Sequence, residues 1–375
     1  MMDRDGKREK ILVSACMIVR DEERFLGKCI TSLQGFVDEV IIGDTGSKDK
    51  SPEIARRHGA SVFNIPWKDD FAAARNAVID CARGQWILTI DADERLRPFS
   101  RDDFLTSLQD NSKWAFYSLI RHKKDWTPYW VLRLFRNDRR IRYRGKVHEN
   151  IHEGLDQALI SEKGEVGYLD MLLDHFGYGG NNIRKYRRNL PLILEELREN
   201  PENTNNIRHL GLIYYKFGQV LLAEEEWQRA IRIIANKDTV EPIDSLAFSY
   251  LIESLQNRGK PARRLLNEAL SLFPNNPQLF CLNARELIAE GLFKQAIPYL
   301  KRLLRWGEGD TYDHSIPYHT KIFNAYPSAY MAICLLMLGR IEESRFYCDA
   351  ALTHDPENPK IENMLKPLIN LHYAW

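Results

Sequence analysis

Up to about residue 178, short runs of β-branched and apolar residues alternate with segments of helical period. Ile11–Val19 predicts a strand and Glu22–Gln34 a helix; Glu39–Ile42 predicts a second strand, closed by the turn Gly43-Asp44-Thr45-Gly46-Ser47. Pro52–His58 reads as helix, Ser61–Asn64 as strand, and Phe71–Cys81 as a helix with small residues along one side. Trp86–Ile90 predicts a fourth strand, broken by Asp91-Ala92-Asp93-Glu94. Strands alternating with helices at this spacing imply βαβ units and a mainly parallel, Rossmann-like sheet. Ligands bind such sheets beyond the carboxyl ends of the strands. The polar clusters at Arg20–Glu23, Asp44–Ser47 and Asp91–Glu94 all stand at such ends and are expected to share one crevice.

From about residue 179 the strands stop and a helix–turn–helix pattern repeats. Leu210-Gly211, Tyr214, Gly218, Ala223, Trp227 and Ala230 fit the tetratricopeptide template. Ala262, Leu266 and Ala269 carry the same phase, as do Ala296 and Leu300 in a third unit and Cys348 and Ala351 in a fourth. The equivalent small positions 223, 262, 296 and 344 stand 39, 34 and 48 residues apart, so the larger gap calls for an insertion near Gly307–Phe323. Small residues recur where paired helices approach closely, and each unit buries its face only against its neighbours. A closing helix is expected near Ile361–Leu371. The division is therefore α/β followed by all-α: 1–178, then a helical solenoid over 179–375.

Composition narrows the function. With 375 residues, 44% of them hydrophobic, the chain can build real cores. Lys and Arg total 53 against 52 Asp and Glu, a formal charge of +1, which gives no reason to expect a nucleic-acid or anionic-membrane partner. Six widely spaced cysteines form no CxxC pair and read as reduced, structural thiols. MMDRDGKREK is charged and precedes only a short apolar run, so neither a signal peptide nor a membrane span is expected, and a cytoplasmic location follows.

The chemistry lies in the first half. In extended backbone Asp91 and Asp93 point the same way, and two carboxylates so placed suit Mg²⁺ or Mn²⁺. Aspartates also collect at strand ends as ordinary turn formers. Asp44 could accept hydrogen bonds from a base or ribose, or cap its own turn. Arg75 has a fork suited to a diphosphate; a plain salt bridge is the alternative.

Met17-Ile18-Val19-Arg20-Asp21-Glu22-Glu23, Val37-Asp38-Glu39-Val40, Asp44-Thr45-Gly46-Ser47, Phe71…Ala74-Arg75-Asn76 and Trp86-Ile87-Leu88…Asp91-Ala92-Asp93-Glu94 together resemble the family 2 glycosyltransferases of the GT-A fold. The likeness is greatest to a bacterial branch with C-terminal tetratricopeptide repeats, an architecture similar to that of enzymes that glycosylate ribosomal peptides. It implies a UDP-linked sugar donor, inversion at the anomeric carbon and a divalent metal. Arg20, Glu22, Asp44, Arg75 and Asp91 match donor-side positions, and Asp91 and Asp93 the metal motif. Asp21 departs from the branch, which usually has asparagine there. The usual Glu-Asp and Gln-x-x-Arg-Trp signals are absent, but Gly145-Lys146-Val147-His148-Glu149 is similar to a Gly-x-Val-His-Glu of this branch. Glu149 is thus the expected base, with His148 orienting it or binding metal; His152 and Glu153 repeat the pair. His175, in Asp174-His175-Phe176-Gly177-Tyr178, is the expected third metal ligand. Trp126, Tyr129 and Trp130 could stack on a sugar or serve as core. The expected reaction is metal-dependent inverting transfer of a hexose from a UDP-sugar to a peptide or protein acceptor held by the repeats. The alternative is a glycan or lipid-linked acceptor, with the repeats used for oligomerisation. A solenoid with apolar outer positions would permit a homodimer.

Overall fold

The computed structural model describes residues 12–122, 125–177, 183–309 and 312–357, with 359, 361–363 and 365. The charged first ten residues, Tyr178 and most of the expected closing helix lie outside the described residues, although Ile361 and Leu365 are buried beside Ala351.

Two compact units divide the chain: the first runs to Pro201 without Asp125–Thr127, and the second takes those three residues and Glu202 onward. In the first unit β1 (Val13–Val19), α1 (Leu26–Ser32), β2 (Glu39–Asp44), α2 (Ser51–Arg57), β3 (Ser61–Asn64), α3 (Phe71–Ile79) and β4 (Trp86–Thr89) alternate as expected. There follow β5 (Glu94–Leu96), α4 (Arg101–Gln109), β6 (Lys113–Arg121), β7 (Tyr129–Arg136), α5 (His152–Glu162), β8 (Glu165–His175) and α6 (Ile183–Glu199). The eight strands form one sheet in the order β3-β2-β1-β4-β7-β6-β8-β5. β1, β2, β3 and β4 pair in parallel, as does β6 with β8; β4–β7, β6–β7 and β5–β8 are antiparallel. The sheet is therefore mixed, parallel only narrowly by number of pairings.

Strand period explains the layers. Val13, Ala15, Met17 and Val19 of β1 point into a core shared with Leu26 and Ile30 of α1 and Phe104 of α4. Cys16 points to the other face, where Ala72 and Val78 of α3 and Leu155 of α5 pack. A strand buried on both faces reads as a continuous apolar run, which is how β1 appears in sequence. Helix α1 starts at Leu26 rather than Glu22; in the segment before it the Glu22 and Glu23 amides donate to Ser51 Oγ and Asp49 Oδ2. Helix α6, expected in the repeats, belongs to the first unit, so the boundary lies at 201 and not at 178.

Among the described residues the second unit has four helix pairs: α7 (Thr204–Lys216) with α8 (Val220–Ile234), α9 (Ser245–Asn257) with α10 (Arg263–Leu272), α11 (Pro277–Ala289) with α12 (Phe293–Gly309), and α13 (Ala325–Met337) with α14 (Ile341–His354). The small–large phase is buried in each pair: Ala223, Trp227 and Ala230; Ala262, which caps α10, with Leu266 and Ala269; Ala296 and Leu300, followed by the larger Leu303; and Ser344, Cys348 and Ala351. Between α12 and α13 lies the expected insertion, with a 3₁₀ turn at Thr320–Phe323. There Thr127 donates its amide to the Tyr318 carbonyl at 2.8 Å, and the Trp126 and His319 rings meet at a tilt, 5.4 Å between centroids. All six cysteines are free thiols, and no described helix is long and apolar enough to cross a membrane.

Candidate active site

One cavity of about 840 Å³ opens at the carboxyl ends of β1 and β4. Arg20, Glu22, Arg75, Asp91, Asp93, His148, Glu149 and His175 all line it. The elements that bring them together are far apart in sequence. The end of β1 is stitched to the loop after β2: Asp21 donates its amide to Ser47 Oγ and accepts from the Lys48 amide at 2.7 Å. Asp21 has φ +57, a conformation that Asp and Asn both tolerate better than most side chains, so this turn accepts either residue.

Arg75 projects from α3, whose first turn is capped by Asp70 through the Ala73 amide. Next to it, Asn76 exchanges two hydrogen bonds with the Tyr143 backbone, at 2.8 and 2.9 Å. The loop that follows is closed by reciprocal backbone bonds between Arg144 and Asn150, and it turns back through Gly145 and His148, both at positive φ. This delivers Glu149 to Arg75: Nε donates to Glu149 Oε1 at 2.6 Å, while Nη2 donates to Asp91 Oδ1 at 2.9 Å. Arg133 on β7 lies on the other side, 3.4 Å from Asp91 Oδ2 and 2.5 Å from Oε1 of the fully buried Glu94. Glu94 Oε2 accepts the Asp91 amide, and burial, opposed by Arg133, pushes its carboxyl up to about 7. Burial alone would raise Asp91, but Arg75 and Arg133 outweigh it and hold the group well below the usual carboxylate range.

Both Asp91 oxygens are thus engaged by guanidiniums, and Asp91 holds Arg75 in place. Asp93 is different. Antiparallel pairing sets Glu94 opposite His175, so β5 and β8 bring Asp93 Oδ1 within 3.5 Å of His175 Nε2. Burial raises Asp93 against the pull of His175, and burial lowers His175. Among the described residues no set of three His, Cys, Asp or Glu side chains converges as a metal cage. The Asp93 carboxylate nevertheless suits an ion that takes its other ligands from phosphates and water, as Mg²⁺ does, and the His175 imidazole suits a softer divalent ion. Gly177 completes the cradle, since a Cβ there would fall 1.8 Å from Asp93 Oδ2.

Asp44 does not line the cavity; its Oδ1 accepts the Ser47 amide at 3.1 Å, the turn-capping alternative, and Thr45 lines the cavity instead. His152 lines it, whereas Glu153 pairs with Arg144. Trp130 lines it too, while Tyr129 bonds His122 and Trp126 belongs to the second unit. Arg133 and the α6 residues Arg184, Lys185 and Arg188 were missed by sequence reasoning. Their signals, an arginine inside an apolar strand and a basic run opening a helix, are common on solvated surfaces.

Residues 14–161 match the model of the family described as glycosyl transferase family 2. They form a family 2 glycosyltransferase domain. The chain is 36% identical over 224 residues to a TPR repeat-containing protein of Synechococcus elongatus, covering 57% of this chain and 55% of that one. It is 29% identical over 220 residues to the SPbeta prophage-derived glycosyltransferase SunS of Bacillus subtilis, covering 52% and 48%. A glycosyltransferase of Rickettsia bellii shares 31% over 121 residues, 31% of this chain and 41% of that one. The chain spans about half the length of the curated relatives it matches. Staphylococcus aureus TarS is similar in structure at a TM-score of 0.38 and 13% identity, over 68% of this chain and 54% of that one. That likeness is too slight to bear on either fold or chemistry.

Proposed function

We propose that the glycosyltransferase domain transfers a hexose from a UDP-sugar to a peptide or protein acceptor, with inversion, in the cytoplasm. The observation that carries this reading is the Asp91–Arg75–Glu149 chain facing Asp93 and His175 across a single cavity. In the transfer the acceptor oxygen or sulfur attacks the anomeric carbon as the bond to the diphosphate breaks, and UDP leaves. Glu149 takes the acceptor's proton; Arg75, pinned by Asp91, fixes the direction in which that carboxylate points. Asp93 and His175 would hold a divalent ion, whose charge neutralises the departing diphosphate. Six free thiols agree with a reducing compartment. Stacked repeat units offer extended surfaces of the kind that bind peptides, which favours a peptide acceptor.

A second reading, a glycan acceptor, draws on one feature. Tyr168, 64% exposed, stacks on Tyr117 and meets Trp130 edge-on, and the latter two line the cavity.

Incubation with UDP-sugars, Mn²⁺ and a cytosolic peptide pool, read by mass spectrometry, tests the proposal. Hexose-shifted peptides are expected, and Glu149→Gln should lower the rate by roughly 10²–10⁴-fold while UDP still binds. Asp93→Ala should abolish the Mn²⁺-dependent transfer. Hexose appearing only on added oligosaccharides would leave the glycan reading in its place.

A further inference from the structure

Glu94 is fully buried and does not line the cavity, yet its carboxylate is tied to groups that do. The turn before it closes on itself: the Glu94 amide donates to the Asp91 carbonyl, and Glu94 Oε2 accepts the Asp91 amide, both at 2.9 Å. That leaves Oε1 for Arg133 Nη2, at 2.5 Å. The same nitrogen stands 3.4 Å from Asp91 Oδ2. Asp91 Oδ1 then accepts from Arg75 Nη2 at 2.9 Å, and Arg75 Nε donates to Glu149 at 2.6 Å. Carboxylates and guanidiniums therefore alternate over five residues, Glu94–Arg133–Asp91–Arg75–Glu149. They come from β5, β7, the end of β4, α3 and the loop before α5.

Among the described residues only these carboxylates hydrogen-bond the two guanidiniums; Arg133 Nε and Arg75 Nη1 are buried with no hydrogen-bond partner. Against burial, Glu94 and then Asp91 keep Arg133 charged, and Asp91 and then Glu149 keep Arg75 charged. Each guanidinium is thus shared between two acids, and what one releases the other takes. Buried charges couple strongly, because little water screens them. Without the Glu94 carboxylate, Arg133 would lean fully on Asp91. Asp91 would then slacken on Arg75, and Arg75 would settle onto Glu149 and draw that carboxylate out of line.

We infer that Glu94 is a positioning residue for the transfer, acting through Arg133, Asp91 and Arg75 on the direction of the Glu149 carboxylate. This rests on the reading of Glu149 as the base and adds to it a control from the far end of the buried chain.

The test is a double-mutant cycle on the full chain. UDP release from UDP-glucose, UDP-galactose or UDP-N-acetylglucosamine is followed with Mn²⁺ and a cytosolic peptide pool, and UDP binding with Mn²⁺ is measured by calorimetry. Glu94→Gln keeps the side chain's shape; it should lower kcat by about 10- to 100-fold and leave the donor KM and the UDP affinity within about threefold. In a Glu149→Gln background the same change should cost no more than about twofold, since no carboxylate is left to aim. Arg133→Lys keeps the charge but loses the planar fork that two acids share, and should show the same non-additivity with Glu149→Gln. It carries the test if thermal melts show that Glu94→Gln does not fold. A change that costs as much beside Glu149→Gln as alone makes the role merely structural and overturns the inference. So does a UDP affinity that falls as far as kcat, which would assign Glu94 to the Asp93 turn instead. An unchanged kcat overturns it as well. A Glu149→Gln chain as fast as the unaltered one overturns the base reading, and the inference with it. No UDP release from any of the three sugars overturns the donor reading and both that depend on it.

Discussion

Gly177 leaves the room that the Asp93 carboxylate occupies, and any side chain there must displace it. Gly177→Ala should weaken Mn²⁺-dependent UDP binding by tenfold or more with little change in melting temperature, which calorimetry beside a thermal melt will show. Glu22 offers a test with a defined sign. Burial, with repulsion from Asp93 and Asp91, raises its carboxyl to about 7 from 4.5. The folded form holds its proton more tightly than the unfolded chain, so stability falls as pH rises from about 4.5 to 7 and stays lower above. Glu22→Gln removes that loss: it should stabilise the fold at pH 8 by roughly 1–3 kcal/mol and change little at pH 4, by urea denaturation. At this scale the sequence named eight side chains that the fold brings to one cavity. It could not name their partners, because Arg75 and Glu149 are 74 positions apart and only the fold makes them neighbours.

In the helical repeats, the small positions are what the packing requires. Gly211 on α7 faces Trp227, whose Nε1 would lie 2.5 Å from an added Cβ. Gly211→Ala should therefore cost about 1–2 kcal/mol net of its better helix propensity. Ser344 occupies the position held by Ala223, Ala262 and Ala296, and its hydroxyl bonds the Ala332 carbonyl at 2.7 Å. Ser344→Ala should be mild, about 1 kcal/mol or less, because alanine is the shape this position takes elsewhere. Ser344→Leu should unfold the last pair, an outcome that thermal melts of the three variants will rank. The repeat phase was legible because it is a local, periodic pattern. The sheet was legible only up to β4: β5 is three residues long, and β6, β7 and β8 pair with one another in mixed directions that no local period encodes.

For the molecule as a whole, the placement of α6 decides where the chain can be divided. Leu192, Ile193 and Leu197 are buried, and Glu195 and Glu196 hold Lys146. A chain ending at residue 201 should melt cooperatively, whereas one ending at 178 should lose that transition, as circular dichroism will report. By itself the sequence determined the two classes of architecture, the strand–helix alternation of the first ninety or so residues, the repeat phase and eight of the side chains that line the cavity. These are written in neighbouring side chains, whose period is set by the backbone. The tertiary structure alone decided that Asp91 is held by two guanidiniums, that Asp93 meets His175 and that α6 lines the cavity. An amphipathic helix announces that one face is buried but not which surface buries it, and a carboxylate's role depends on charges that arrive from distant strands.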